Sequence, residues 1–197
     1  SNYSHGTGTG TDGGLVGKGK ELLIEMDKLN MILDVSHTSD ESVRQELEIF
    51  EGPIIATHQN CRSVAPGERQ FPDHQLKSII DRGGVIGHSM DTFMMWKTEI
   101  DWSDIPLPRP FPKDEVTLED FVDHIDHGCQ LSGNSLHSAI GGDTDGQGGM
   151  VGAPKEVDTV LDYQKIITLL QTRGYKDSDI ENIFYKNWQR FFEANLP

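Results

Sequence analysis

Two histidines and an aspartate each stand where a short apolar run ends. Met31-Ile32-Leu33-Asp34-Val35-Ser36 leads into His37, Pro53-Ile54-Ile55-Ala56-Thr57 into His58, and Ser138-Ala139-Ile140-Gly141-Gly142 into Asp143. Neutral imidazoles at neighbouring strand ends can meet one divalent ion, commonly zinc. Such an ion lowers the pKa of bound water towards neutrality, and a carboxylate beside it can carry a proton to a leaving amine. These residue types point to metal-assisted hydrolysis, and no convincing serine or cysteine triad competes with it. Either histidine alone reads as a hydrogen-bonded structural residue. Their recurrence 21 residues apart, at the same point of successive strand–helix units, favours a shared site.

Bringing three such groups to one rim requires parallel strands, because the loops that follow parallel strands converge on one face. Five strand-like segments are expected, at about 2–5, 31–36, 53–58, 84–89 and 138–143. The stretches between them carry helix signals. Thr38 with Glu41 forms an expected capping box ahead of Val43, Leu47 and Phe50. Asp73 opens a helix with Leu76, Ile79 and Ile80 inward, and Thr117 with Asp120 precedes Phe121, Val122, Ile125 and Cys129. Residues 157–173, with Val160, Tyr163, Ile166, Ile167 and Leu170, predict a further helix. Asp177 caps a last one with Ile180, Phe184, Trp188 and Phe191. This alternation predicts an α/β protein with a parallel sheet, in a single domain over residues 1–197. A long Pro-rich excursion over 90–116, containing Ile105-Pro106-Leu107-Pro108-Arg109-Pro110-Phe111-Pro112, interrupts it. Alternating prolines stiffen such a stretch, and its length suits a lid, an interface or a packed surface loop.

Composition narrows the function. With 32 acidic against 17 basic side chains the formal net charge is -15, and no basic patch offsets it, so nucleic acid is not an expected partner. No apolar run approaches the ~20 residues that span a bilayer. No signal peptide opens the chain, which begins as though inside a domain, so its localisation is left open. Cys61 and Cys129 lack metal-knuckle spacing and read as small buried side chains. His124 and His127, three apart on a helix, read as surface or interface residues.

The order of motifs carries a resemblance. Asp34-Val35-Ser36-His37-Thr38-Ser39-Asp40 and Pro53-Ile54-Ile55-Ala56-Thr57-His58-Gln59-Asn60-Cys61-Arg62 resemble the two histidine motifs of the renal (membrane) dipeptidase family, the M19 metallopeptidases. Arg82-Gly83-Gly84-Val85-Ile86-Gly87 resembles that family's next strand, and residues 116–127 its following helix. Ile140-Gly141-Gly142-Asp143-Thr144-Asp145-Gly146 is similar to its Gly-Asp-x-Asp-Gly strand end, and residues 174–190 to its closing helix.

The resemblance implies a zinc-dependent dipeptidase on the C-terminal portion of a (β/α)8 TIM barrel, about five β-α units of the full set. It implies two zinc ions in the complete family site, with His37 and His58 ligating the second. Asp143 would be the acid/base residue near the hydroxide and the substrate amine. Arg69, 11 residues after His58, would hold the terminal carboxylate of a dipeptide substrate, although Gln70 follows it where the family has asparagine. His5 would polarise the scissile carbonyl. The family's His-x-Asp pair and bridging glutamate have no counterpart here, so the remaining ligands are expected from an N-terminal half or from a homo-oligomer. Open strand edges invite such pairing.

Two other readings compete. A half-barrel kept for assembly or binding would need no catalysis, yet His37, His58, Arg69 and Asp143 are all present. An NAD-binding oxidoreductase would use Gly8-Thr9-Gly10-Thr11-Asp12-Gly13, which fits GxGxxG, with Asp34 lying 21 residues beyond its last glycine. The strand before that motif is very short, and the apolar stripe of Leu22, Leu23, Met26 and Leu29 begins well after it.

Overall fold

Four short strands run parallel, in chain order, with a helix between each neighbouring pair. The computed structural model describes residues 1–7, 13–98, 113–146 and 152–196. After helix α1 (Gly19–Lys28) come β1 (Leu33–Asp34), α2 (Asp40–Ile49), β2 (Ile54–Ile55) and α3 (Asp73–Asp81). β3 (Ile86–Ser89), a short α4 (Thr92–Met95), α5 (Leu118–Ser132) and β4 (Ser138–Gly142) follow. The chain closes with α6 (Lys165–Thr172), α7 (Asp177–Glu181) and α8 (Asn187–Asn195).

β1 pairs with β2 through Leu33↔Ile54 and Asp34↔Ile55, and β3 with β4 from Ile86↔Ser138 to Ser89↔Gly142. A parallel bridge between Ala56 and Ile86 joins the two pairs, with the Ala56 N–H donating to the Val85 carbonyl at 3.0 Å. All strand carboxyl ends therefore face one rim. β2 and β3 are buried on both faces, which explains their nearly continuous apolar runs, while β1 leaves Asp34 exposed. One core gathers Leu33, Val35, Ile54, Phe71, Leu76, Ile79 and Ile86 beneath α2 and α3. A second gathers Phe121, Val122, Ile125, Ile166, Leu170, Ile180 and Ile183 between α5 and the closing helices.

Gly87 and Gly141 set how closely the centre packs. A Cβ on Gly87 would come within 2.2 Å of the Thr57 carbonyl oxygen, and one on Gly141 within 2.6 Å of the same atom. The loop that carries His58 is thus seated directly on β3 and β4.

Several local expectations differ from the structure. Residues 2–5 make no parallel strand: Ser4 forms one antiparallel bridge with Leu15, and the Val16 N–H donates to the Tyr3 carbonyl. The segment pairs with its own returning chain instead of joining the sheet. The cap of α2 is Ser39, which accepts from the Ser42 N–H, while the Thr38 hydroxyl donates to the Val35 carbonyl at 2.7 Å. Val160 and Leu161 are exposed on a 3-10 turn over 160–164, and the α-helix proper begins at Lys165. The last helix contains a π turn over 182–186 between α7 and α8.

His124 is the largest departure, fully buried rather than on the surface. Its Nδ1 accepts the backbone N–H of Cys61 at 3.1 Å, and its ring stacks near that of buried His88. Cys61 and Cys129 are buried free thiols. Most of the Pro-rich excursion, including 105–112, and residues 8–12 of the glycine motif lie outside the described residues.

Candidate active site

His37 and His58 meet at the rim. Their ring centroids are 4.8 Å apart and the planes are tilted by 57°. Each reaches this place from the turn after its strand. His37 has a left-handed backbone (φ 69°), and its carbonyl accepts the Thr7 N–H at 2.9 Å. The backbone N–H of His58 donates to the Ser36 hydroxyl at 3.2 Å, which ties the second turn to the first.

Asp143 also has a left-handed backbone, φ 63°. Such conformations are strained for residues other than glycine and concentrate at functional positions. Its carboxylate accepts from the Ser89 hydroxyl at 3.2 Å, across from the end of β3. A Cβ on Gly146 would meet Asp143 Oδ1 at 2.6 Å and Asp91 Oδ2 at 3.2 Å, so two carboxylates flank that turn.

Arg69 lies buried beneath the histidines. It donates from Nη1 to Gln59 Oε1 at 2.6 Å and from Nη2 to the His58 carbonyl at 2.9 Å. Gln59 returns a bond from Nε2 to the Arg69 carbonyl at 2.8 Å, which closes a small ring of contacts. Burial draws the Arg69 pKa down to about 10, against the opposing pull of Asp143, Asp91 and Asp34. The guanidinium remains charged at neutral pH.

Electrostatics keep both imidazoles neutral. His37 has an exposed outer face, but its neighbours still strip enough water from the ring to lower its pKa to about 4. The positive charge of Arg69 and the proximity of His58 push the same way. His58 is lowered by burial and by Arg69, with Asp143 and Asp34 opposing. Neutral rings carry the lone pairs that a metal requires.

The donor set fits a divalent cation in part. Among the described residues no group of three or more His, Cys, Asp or Glu side chains is arranged to hold an ion. The chain supplies two neutral nitrogens with a carboxylate nearby.

His5 sits beside this group rather than in it. Its ring lies where a Cβ on Gly13 would stand, 2.6 Å away. Its segment is nevertheless stitched to the His37 loop by the Gly6–Thr38 bridge and by the Ser39 N–H donating to the His5 carbonyl at 3.1 Å. His88 points into the core and does not join the group.

Sequence reasoning gave Asp34 a role only in the competing dinucleotide motif and passed over Thr57, Gln59, Ser89 and Asp91. The signal for Asp34 was present: it is an exposed acid between buried Leu33 and Val35, two residues from the turn. Its oxygens accept from Ser36 N–H at 3.0 Å, Thr57 N–H at 3.1 Å and the Thr57 hydroxyl at 2.5 Å. An acid engaged in this way is poorly placed to bind a ribose, as a dinucleotide site would need. A separate cleft, lined by Asp126, Cys129, Arg173, Tyr175 and Asp179, lies at the far end of α5, before β4 begins.

The framework is a parallel α/β one with paired histidines at its carboxyl rim. The chain belongs to the membrane dipeptidase family (peptidase family M19), whose sequence pattern matches residues 2–195. It is 29% identical over 180 residues to an uncharacterized protein in the pqqA 5′ region of Klebsiella pneumoniae, covering 91% of this chain and 60% of that one. The dipeptidase verJ of Clonostachys rogersoniana is 30% identical over 182 residues, covering 92% of this chain and 42% of that protein. The chain thus spans about a third to three fifths of the length of curated relatives such as these. Its fold is similar to that of a metallo peptidase from Rhodobacter sphaeroides, solved with a phosphinate mimic of the dipeptide L-Ala-D-Ala. That likeness has a TM-score of 0.78 at 24% identity and covers 98% of this chain and 52% of that one. Among the described residues no helix is long and apolar enough to cross a membrane.

Proposed function

We propose that this chain forms the C-terminal part of a (β/α)8-barrel, zinc-dependent dipeptidase and supplies one metal position together with the substrate-facing groups. The observation that carries the reading is the convergence of His37 and His58, 4.8 Å apart, over Arg69 and beside Asp143. Family membership supports the class of reaction.

His37 and His58 would hold the ion through neutral nitrogens. A bound zinc ion supplies hydroxide at neutral pH and draws charge from the scissile carbonyl. Asp143, held by Ser89, takes the proton and delivers it to the leaving amine. Among the described residues Arg69 uses two of its N–H donors internally, and the others are free to meet the substrate's terminal carboxylate as a planar fork. His5, stitched to the His37 loop, polarises the scissile carbonyl. The remaining metal ligands come from the part of the family's length that this chain does not span, or from a second copy.

The test is zinc content and dipeptide hydrolysis, measured on this chain and on a full-length version. We expect two zinc ions and activity in the full-length protein, with partial metal and little hydrolysis in this chain alone. A folded, metal-loaded full-length protein with background rates on all dipeptides would overturn the reading and favour an assembly module.

A further inference from the structure

We infer that Asp34 and Thr57 are positioning residues that set the tautomer of His58, keeping its proton on Nδ1 and leaving the lone pair on Nε2. This rests on the reading of His58 as a metal ligand for its purpose, though not for its geometry. A carboxylate can only accept hydrogen bonds. The Thr57 hydroxyl, 2.5 Å from Asp34 Oδ2, must therefore give Asp34 its single proton. The same oxygen lies 2.8 Å from His58 Nδ1, and with its proton committed it can only accept there. The ring must then donate from Nδ1.

The rest of the structure holds this chain of bonds in place. Asp34 Oδ1 accepts from the N–H groups of Ser36 and Thr57, which fixes the carboxylate's orientation. The Thr57 carbonyl is wedged against Gly87 and Gly141, with no room for a Cβ at either. The His58 N–H is held by Ser36. Carboxylates that orient ligating histidines through such contacts raise metal affinity and are half the design of many metal sites. Here a hydroxyl is interposed between the acid and the ring. An imidazole free in water favours the proton on Nε2, so the arrangement reverses the intrinsic preference and leaves a distinct signature.

The experiment is 15N–1H correlation NMR of the histidine rings in the metal-free chain at mildly alkaline pH, with His58 assigned by its loss in His58→Asn. We expect a protonated Nδ1 and an unprotonated Nε2. Thr57→Val keeps the volume, removes the hydroxyl, and should move the proton to Nε2, while Thr57→Ser should restore the native pattern. Asp34→Asn is the sharper variant. Its carbonyl oxygen would take the two backbone donors, and its amide would donate to Thr57. The hydroxyl would then donate to Nδ1 and drive the ring to the Nε2–H form. In a zinc titration of the full-length protein, Thr57→Val should bind about 10–100-fold more weakly than Thr57→Ser. A wild-type ring protonated on Nε2, or one indifferent to Thr57→Val, overturns the inference whatever the metal does. A native Nδ1–H ring in a protein that takes up no zinc would instead sink the metalloenzyme reading and leave the tautomer assignment standing.

Discussion

The imidazoles of His37 and His58 lie 4.8 Å apart at a 57° tilt, on consecutive parallel strands whose turns are joined by the Ser36 hydroxyl. On the proposed reading these two rings bind the same ion. In the full-length enzyme, His37→Ala or His58→Ala should each lose one zinc equivalent, with an unchanged far-ultraviolet circular dichroism spectrum. Neither ring fills a core position, so the fold does not depend on them. Metal analysis of the purified variants checks this, and full zinc occupancy in either would remove that residue from the ligand set.

Arg69 is tied to the histidine turn through the His58 carbonyl and, on the proposed reading, also meets the substrate's terminal carboxylate. Replacement by lysine keeps the charge but loses the planar guanidinium, whose donors not held by Gln59 Oε1 and the His58 carbonyl are the ones proposed to meet the substrate's carboxylate. A charge-assisted hydrogen bond is worth about 1.5–3 kcal/mol, which corresponds to roughly 10–100-fold in binding. Arg69→Lys should therefore raise KM for a dipeptide by that factor, with a smaller fall in kcat. Steady-state kinetics on a free dipeptide and on its carboxyl amide separate the roles, because the amide should discriminate little between the two enzymes.

The rim was legible because the apolar runs of the strands, buried throughout in β2 and β3, stop abruptly at polar residues. Leu33, Ile54 and Ile86 mark the runs, and the turn residues that follow mark their ends. The strand at 2–5 was misjudged because four residues carry no periodicity that separates a sheet strand from a local bridge to Leu15. His124 was misplaced for a different reason. A helix stripe records apolar side chains, while a neutral imidazole becomes a core residue only when the fold supplies a donor such as the Cys61 N–H. The contacts of Asp34, Thr57 and Ser89 depend on bringing separate turns within hydrogen-bond distance, and spacing along the chain does not encode that.

Glu46 is buried in α2, with the Ser4 hydroxyl 3.3 Å from one carboxyl oxygen and the Thr38 side chain also adjacent, while Oε2 has no hydrogen-bond partner. Burial raises its pKa to about 7. The native state then binds more protons than the unfolded state between about 4.5 and 7, so stability is fully present below that window and lost as pH rises through it. Glu46→Gln should stabilise the chain by roughly 1–3 kcal/mol at pH 8 and by little at pH 4. Urea unfolding at the two pH values checks the difference. Equal effects at both would show that the carboxyl is not buried in its neutral form.

The buried pair His88 and His124 has the opposite sign. Burial lowers His88 to about 3 and His124 well below its usual value. Fewer protons bind to the native than to the unfolded rings, so stability is complete above about pH 6.5 and declines as pH falls towards 3. His88→Asn should flatten the part of this decline that His88 causes, seen as a smaller shift in urea midpoint between pH 7 and pH 4.5. An unaltered shift would mean that the ring accepts a proton without leaving the core.

Gly87 and Gly83 separate crowding from backbone strain. Both precede or lie within β3, and neither tolerates a side chain, but for different reasons. Gly83 has φ 75° with nothing within 4 Å of a prospective Cβ, so alanine there meets only the left-handed backbone penalty of about 1 kcal/mol. Gly87 has no room: its Cβ would meet the Thr57 carbonyl at 2.2 Å, the Trp188 ring at 2.8 Å and Gly141 Cα at 2.9 Å. Two of those contacts are backbone, and Trp188 is itself anchored by donating to the Ile140 carbonyl at 3.0 Å. Relief requires β3 to separate from the His58 turn, at a cost of about 3 kcal/mol or more. Gly87→Ala should therefore unfold at much lower urea than Gly83→Ala, and its surviving folded fraction should bind zinc more weakly, because the displaced turn carries His58, the proposed ligand. Similar unfolding midpoints for the two variants would show that the seat beneath Thr57 yields more easily than these contacts imply.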